Sequence, residues 1–406
     1  MSNSPLGLFA YPWDIIDEGE DAVIDAVKRA GLNTLFVTVN YHSGMFFLPH
    51  NPNRKIYFPE PGALYFEPSA WHKNHYFSSP VSKLTSNWNS FWSSLANKCQ
   101  SNNITLGAWM LGLHNSGIGN QHKDLATYNA WNDPITHTLC PFNETVCDYL
   151  NNVARDVTKL GVFNKVLIES IEYLPVRHGH HHEVIGVDFP SDIDFLLSLN
   201  FSKQCLKHLN NKGIDGKSIS NWVKSVCNDF FISAQNHKEM KWNDLEKCID
   251  GEFNEYLKVR ENSITKLTKS VISEFRQDKS IMVGLIDFGP LYPLGPNGRK
   301  WQNGVNLDSV LSIVDEIHPT YYFADLEINK SKHSIYTSII DNQKPIIPAV
   351  RSILPQTPDA KSLLDQLNML ALESSGYNFY NYSFMNFETL DWIKEAVNSF
   401  PASKVL

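Results

Sequence analysis

KVLIESIEYLPVRHGHHHE, residues 165–183, is the stretch on which the reading of this chain turns. A short β-rich run, Val166 to Ile171, carries Glu169 and is followed at once by Glu172. It leads into a loop holding His178, His180, His181, His182 and a third acid, Glu183. A half-buried carboxylate loses hydration, so acids at a strand exit are costly unless they have partners or chemistry. Barrel enzymes place such acids where strands emerge at the catalytic face. The segment therefore implies an enzyme and marks where its chemistry sits.

Outward from this run, apolar strands alternate with amphipathic helices. Leu6–Tyr11 and Thr34–Tyr41 read as the first two strands, with a helix over 18–30 between them that Gly31 stops. A Pro- and aromatic-rich loop follows, then a helix with Trp88, Phe91, Trp92, Leu95 and Cys99 at helical spacing. Ile104–Leu113 is the third strand, a helix spans 144–160, and Val166–Ile171 is the fourth strand. Regularity breaks over 175–279, which reads as largely helical, its last part near 253–277 returning to the repeat. Ser280–Ile286, Glu316–Phe323, Pro345–Val350 and Tyr377–Tyr382 are strands five to eight, closed by a helix over 387–398.

Eight strand-then-helix units predict an α/β protein, a (β/α)8 TIM barrel with a large, mainly helical insertion after strand four. The expected organisation is a single barrel domain over 1–406, with residues 175–252 inserted on the catalytic face, because βα loops emerge there. A doubly wound open sheet is weakened by the absence of GxGxxG after the first strand.

The barrel reading selects residues at the C-terminal strand ends. These are Tyr11, Trp13 and Asp14; Asn40 and His42; His114 and Asn115; Glu169 and Glu172; Asp287; Tyr322 and Asp325; Arg351; and Asn381. Such a polar, aromatic ring suits a polyhydroxylated ligand, whose hydroxyls need fixed donors and acceptors. Alternation places Leu167, Glu169 and Ile171 on one face of strand four, so Glu169 is expected to point inward near the top. Its structural alternative is an acid paired to Arg351 or a histidine.

Glycoside hydrolysis needs two carboxyl groups flanking the scissile bond. Glu169 is the first candidate, Asp287 the favoured second, and Glu172 the reserve, with Asp325 also eligible. Strand seven, IIPAVRSILP, lacks a glutamate, so no simple two-glutamate pair is available. Tyr11, Asn40, His42, His114, Asn115, His180, His181, His182, Tyr322 and Arg351 are the expected substrate contacts.

The HGHHHE run leaves three readings open. Imidazoles near the acids can bind substrate and shuttle protons. They can hold a metal that activates water, with His42 and His114 completing the set. They can also simply cap backbone groups on a surface loop. Spacings such as HExxH are absent, so no metal and no cofactor are expected. A metal-dependent hydrolase and a non-catalytic carbohydrate-binding barrel remain the alternatives to a glycosidase.

Composition narrows the field. The chain has 406 residues, 42% hydrophobic and 19% charged, as in a globular protein with a large core. Net charge −8 gives no footprint for nucleic acid. Ten Trp, 16 Tyr and 23 Phe suit either a dense core or a cleft with sugar-stacking faces. None of the six cysteines forms a CxxC pair. No apolar run is long enough to span a membrane, and MSNSPLGLFAYPWD lacks a basic-then-apolar leader, so a cytoplasmic site is expected, or secretion if a signal had been removed.

Several segments together resemble a group of bacterial glycoside-hydrolase-like barrel proteins. They are NYHSGMFFLPHNP (40–52), KIYFPEPGALYFEP (55–68), GAWMLGLHNSGIG (107–119), HTLCPFNETVCDYLNNVARDV (137–157), LIESIEY (167–173) with HGHHHE, and FYNYSFMNFETLDWI (379–393). The resemblance spans most of the chain and implies a TIM barrel with a carbohydrate substrate. Glu169 and HGHHHE match its pattern, whereas Asp287 comes from barrel position alone. Members often carry CFCxxC in the insertion. Here LLSLNFSKQC keeps only Cys205, which puts a metal or disulfide there in question.

Overall fold

The computed structural model describes residues 4–177, 189–289, 303–340 and 342–399. Eight strands form a closed parallel barrel: β1 (Leu6–Ala10), β2 (Thr34–Thr38), β3 (Thr105–Leu111), β4 (Lys165–Glu169), β5 (Met282–Asp287), β6 (Glu316–Tyr321), β7 (Ala349–Arg351) and β8 (Tyr377–Tyr380). Each pairs with its sequence neighbours, and β8 closes on β1. Helices such as Glu20–Arg29, Trp88–Ser101, Glu144–Lys159 and Phe387–Asn398 lie between strands and cover the outside. The (β/α)8 expectation is met.

Prolines and turns trim the expected strands. β1 stops at Ala10 because Pro12 opens a helix, where its fixed φ and missing N–H are tolerated. β7 is only Ala349–Arg351 rather than 345–350. Pro345 and Pro348 lack the N–H that a ladder needs, leaving Ile346 in isolated bridges to Ile317 and Ser374. β8 stops at Tyr380, after which Asn381 caps a short 3-10 turn, Tyr382–Phe384. Two hairpins were not expected. Phe46–Phe47 pairs with Ile56–Tyr57 in the β2–β3 connection, and Ala126–Tyr128 with Pro134–Leu139 in the next.

After β4 the chain forms helices Ser191–Leu197, Lys203–Asn211, Gly216–Ile232 and Trp242–Leu245. Their buried faces build a second apolar core from Ile193, Leu196, Cys205, Leu209, Val223 and Cys227. The 24-residue helix Glu252–Phe275 joins the two cores. Its first turns add Phe253 and Leu257 to the second core, and its last turns add Leu267, Val271 and Phe275 to the barrel core. All six cysteines are free, so Cys205 serves as a buried apolar side chain. Among the described residues, no helix is long and apolar enough to cross a membrane.

The barrel floor is polar. Lys165 at the start of β4 pairs with Glu316 on β6 at 2.8 Å, and Glu316 also meets His318 at 2.9 Å. The other His318 nitrogen lies 2.7 Å from the Asn378 amide on β8. Glycines make the room. A Cβ at Gly284 would sit 2.8 Å from His318 Nε2, and one at Gly107 would sit 2.4 Å from the Phe36 ring. Burial alone would raise the Glu316 pKa, but His318 and Lys165 outweigh it and hold it at about 2.

Removing the Glu316 charge leaves the Lys165 ammonium buried without its partner. Glu316→Gln is expected to lower stability by roughly 3–5 kcal/mol in urea unfolding. A loss below about 1 kcal/mol would show that the pair is solvated, as at a surface.

Candidate active site

The C-terminal mouth of the barrel is built on an aromatic layer. Phe9 on β1 packs edge-on to Trp109 on β3, with centroids 5.2 Å apart. Above it lie Tyr11, Tyr41, Tyr322 and Tyr380. Trp109 is 5.3 Å from Tyr11, 5.6 Å from Tyr41 and 6.1 Å from Tyr380. The Tyr11 hydroxyl donates to Tyr41 Oη at 2.9 Å and lies 3.2 Å from Tyr380 Oη. Burial raises the pKa of all four phenols, so they stay neutral near pH 7. Trp13 supports the layer by stacking on Tyr11 at 4.1 Å.

Glu169, the last residue of β4, reaches inward to this layer as the alternation requires. Trp109 Nε1–H donates to its Oε2 at 2.6 Å. Among the described residues the indole is its hydrogen-bond partner, and neither Arg351 nor a described histidine pairs with it. Burial pushes the Glu169 carboxyl up to about 7 against the opposing Trp109 bond. The strand ends here because Ser170 turns into the left-handed region at φ 53°. This turn is held from β3's extension, where Gly112 N and Leu113 N donate to Glu169 O and Ser170 O at 2.7 Å each. A Cβ at Gly112 would lie 2.8 Å from Ile171 Cα, so only glycine allows the approach.

Glu172, just past the turn, is 2% exposed, and among the described residues neither carboxyl oxygen has a side-chain hydrogen-bond partner. Burial, with Asp287 and then Glu169 nearby, raises its pKa well above the ordinary value. Asp287 ends β5 and is richly bonded. Its Oδ2 accepts from Tyr336 Oη at 2.5 Å, and its Oδ1 from Gly289 N at 3.1 Å and Asn303 Nδ2 at 3.4 Å. Lys332 balances it. Burial lowers the Lys332 pKa to about 8 while Asp287 opposes the shift. The ammonium donates to Phe288 O and Thr320 O. Sequence reasoning missed Lys332 and Tyr336. Their signal was two residues at i,i+4 spacing, one cationic, on the buried face of helix Leu326–Ile340.

The remaining candidates divide. The Asn40 side chain bonds both the N–H and C=O of Leu111 at 2.9 Å, clipping β2 to β3. Asn115 accepts from Ile118 N at 3.0 Å, capping Ser116–Gln121, and its amide reaches Tyr149 Oη. Asp14 is buried, bonded by Ser383 Oγ and Tyr11 N, and pushed up to about 7 by burial. Asp325 is exposed and caps Glu327 N. His42 and His114 stack face to face, with centroids 3.8 Å apart, beside Tyr41. His180, His181 and His182 lie outside the described residues. Among the described residues, no group of three or more His, Cys, Asp or Glu side chains is placed to hold a metal ion.

A cleft of about 450 Å³ adjoins the mouth, reaching Arg351 and Tyr380 between walls that include Phe46, Phe47, Leu354 and Trp392. A larger cavity of about 690 Å³ lies at the opposite end, beside Asn103, Thr105 and Asn164. Cys99 is its one titratable lining residue, and that end of a barrel serves stability rather than chemistry.

No family model matches the chain, and no curated protein matches it by sequence. Solved structures match by shape. Alpha-L-fucosidase isoenzyme 2 from Paenibacillus thiaminolyticus superposes with a TM-score of 0.52 at 9% identity, over 98% of this chain and 49% of that one. An exo-β-N-acetylglucosaminidase from Vibrio harveyi gives 0.48 at 8% identity, over 98% of this chain and 54% of that one. The β-mannanase of the blue mussel Mytilus edulis gives 0.45 at 10% identity, over 100% and 96% of the two chains. The chain thus spans about half the length of the fucosidase. At these identities the likeness concerns the fold, a barrel also found in structures of glycoside hydrolases.

The indole bond holds the Glu169 pKa down against burial. Trp109→Phe is expected to raise it above its present value of about 7. A carboxyl-carbon NMR titration, with Glu169→Gln assigning the signal, reads this directly. An unchanged or lower value would mean that Trp109 does not donate to Glu169.

Proposed function

We propose that this protein is a glycoside hydrolase whose chemistry centres on Glu169. The observation that carries the reading is one carboxyl group at the end of a barrel strand, inside an aromatic mouth, with its pKa moved by burial to about 7. A general acid works best with a pKa near the operating pH. Aromatic faces and neutral phenols suit a sugar ring, offering flat apolar surface and hydroxyl partners together.

In this reading Glu169 protonates the leaving oxygen of the glycosidic bond. A second, ionised carboxylate attacks the anomeric carbon or activates water. Asp287 is proposed for that part, because Tyr336, Gly289 and Asn303 donate to it and Lys332 supplies the counter-charge. Glu172, buried with its pKa raised, first by burial and then by Asp287 and Glu169, is the reserve. The structural neighbours that act on glycosides support the reading at the level of the fold. Tyr11, Tyr322, Tyr380 and the His42–His114 pair are the proposed sugar contacts. The helices over 189–252 are proposed to wall the catalytic face as an insertion of the single barrel domain.

Turnover of a panel of aryl glycosides is the test. Glu169→Gln is expected to leave sugar binding intact and to lower kcat by a factor of roughly 10² to 10⁴. Unchanged turnover in that variant would remove Glu169 from the chemistry. Because Glu169 must be protonated to act, kcat/KM should fall as pH rises through about 7. A profile flat from pH 6 to 9, or rising across it, would assign the acid role elsewhere.

A further inference from the structure

The charged groups at the mouth are not equally partnered. Asp287 accepts from Tyr336 with the Lys332 ammonium nearby, Glu172 is buried with its pKa raised, and Glu169 is bonded to a neutral indole. Arg351, at the end of β7, remains. It is half-buried, its Nε is buried without a hydrogen-bond partner, and among the described residues it forms no ion pair. Its guanidinium lies 5.8 Å from the Tyr322 ring centroid, close enough for a weak cation–π contact but not for charge neutralisation. Its backbone carbonyl is fixed by Thr357 Oγ1 at 2.9 Å. The acid lining the adjoining cleft, Glu388, is exposed and does not pair with it among the described residues.

A guanidinium taken partly out of water without a counter-ion is costly, and its planar fork of donors matches a carboxylate. The mouth also links Arg351 to Glu169 through one continuous wall. Tyr322 lies 5.4 Å from Tyr380, Tyr380 lies 6.1 Å from Trp109, and Trp109 holds Glu169. β7 stands three strands round the barrel from β4, so a ligand that reaches both groups crosses the mouth. The adjoining cleft of about 450 Å³ is within the range of small-ligand sites.

We propose that the sugar bound here carries a carboxylate, as in a uronic acid, and that Arg351 is the group that receives it. This rests on the glycosidase reading for the sugar but not for the charge. A guanidinium without an ion pair among the described residues favours a singly charged carboxylate over a phosphate near two charges, which would bring excess negative charge to the buried acids.

Calorimetric titration of the full chain with glucuronate, galacturonate, glucose, galactose and glucose 6-phosphate tests it. At least one uronate is expected to bind roughly tenfold or more tightly than its neutral counterpart. Arg351→Gln should abolish that preference, and Arg351→Lys, which keeps the charge, should restore part of it. Circular dichroism checks that both variants fold, and if Arg351→Gln does not, the wild-type comparison and Arg351→Lys still decide. Equal binding of uronate and neutral sugar, or no uronate binding, overturns the proposal. Tighter binding of glucose 6-phosphate than of either uronate overturns the carboxylate assignment. Turnover of neutral and uronic aryl glycosides, measured alongside, separates the two readings. Uronate binding without any hydrolysis sinks the glycosidase reading alone, and hydrolysis of neutral glycosides without uronate binding sinks this one alone.

Discussion

A closed eight-stranded barrel has an interior that side chains must fill, and this constraint organises the rest of the molecule. At the floor, Gly107 and Gly284 give up their side chains so that Phe36 and His318 can occupy the axis. His318 brings polarity into a place where unpaired polar groups are expensive, and Glu316, Lys165 and Asn378 satisfy it. Above the floor the filling turns aromatic, with Phe9 and Trp109 spanning the middle. Trp109 closes the core below, and its N–H holds the Glu169 carboxyl above. Packing and proposed chemistry therefore meet in one side chain.

The same low-dielectric filling sets the electrostatics of the mouth. Glu169, Glu172 and Asp287 lie at adjacent strand ends, yet their environments differ. Burial raises Glu169 against one indole donor, burial with Asp287 nearby raises Glu172 well above its ordinary value, and Asp287 accepts from Tyr336, Gly289 and Asn303. Carboxyl groups in such different settings can take different parts in one reaction. Arg351 has no ion pair among the described residues.

Long helix Glu252–Phe275 gives the inserted helices their footing. It carries apolar side chains of both cores along one rod, so the insertion is tied to the barrel wall by packing rather than by a linker. The Phe46–Phe47 hairpin works similarly at the mouth. Phe46 packs among Tyr11, Trp13, Tyr41 and Phe384, so a connection with little regular structure still closes one side of the cleft.

The fold was legible because its signals are local. Period-two apolar runs, helical faces and the Gly31 stop all lie within a few residues of the elements they shape. The inward direction of Glu169 was legible for the same reason, since alternation along β4 is a property of adjacent residues. Strand ends were less so, as β7 shows, because Pro345 and Pro348 act through ladder partners on other strands. The partners of the acids were not legible at all. Trp109 with Glu169, Tyr336 with Asp287 and His318 with Asn378 are separated in sequence by 60, 49 and 60 residues. Nor could sequence show that Asn40 and Asn115 spend their amides on Leu111 and Ile118, although they sit at the right strand ends. By itself the sequence determined the barrel and the alternation that turns Glu169 inward. The tertiary structure alone decided which acids burial shifts and which cation has no ion pair among the described residues, because burial and charge at one point depend on every strand that closes around it.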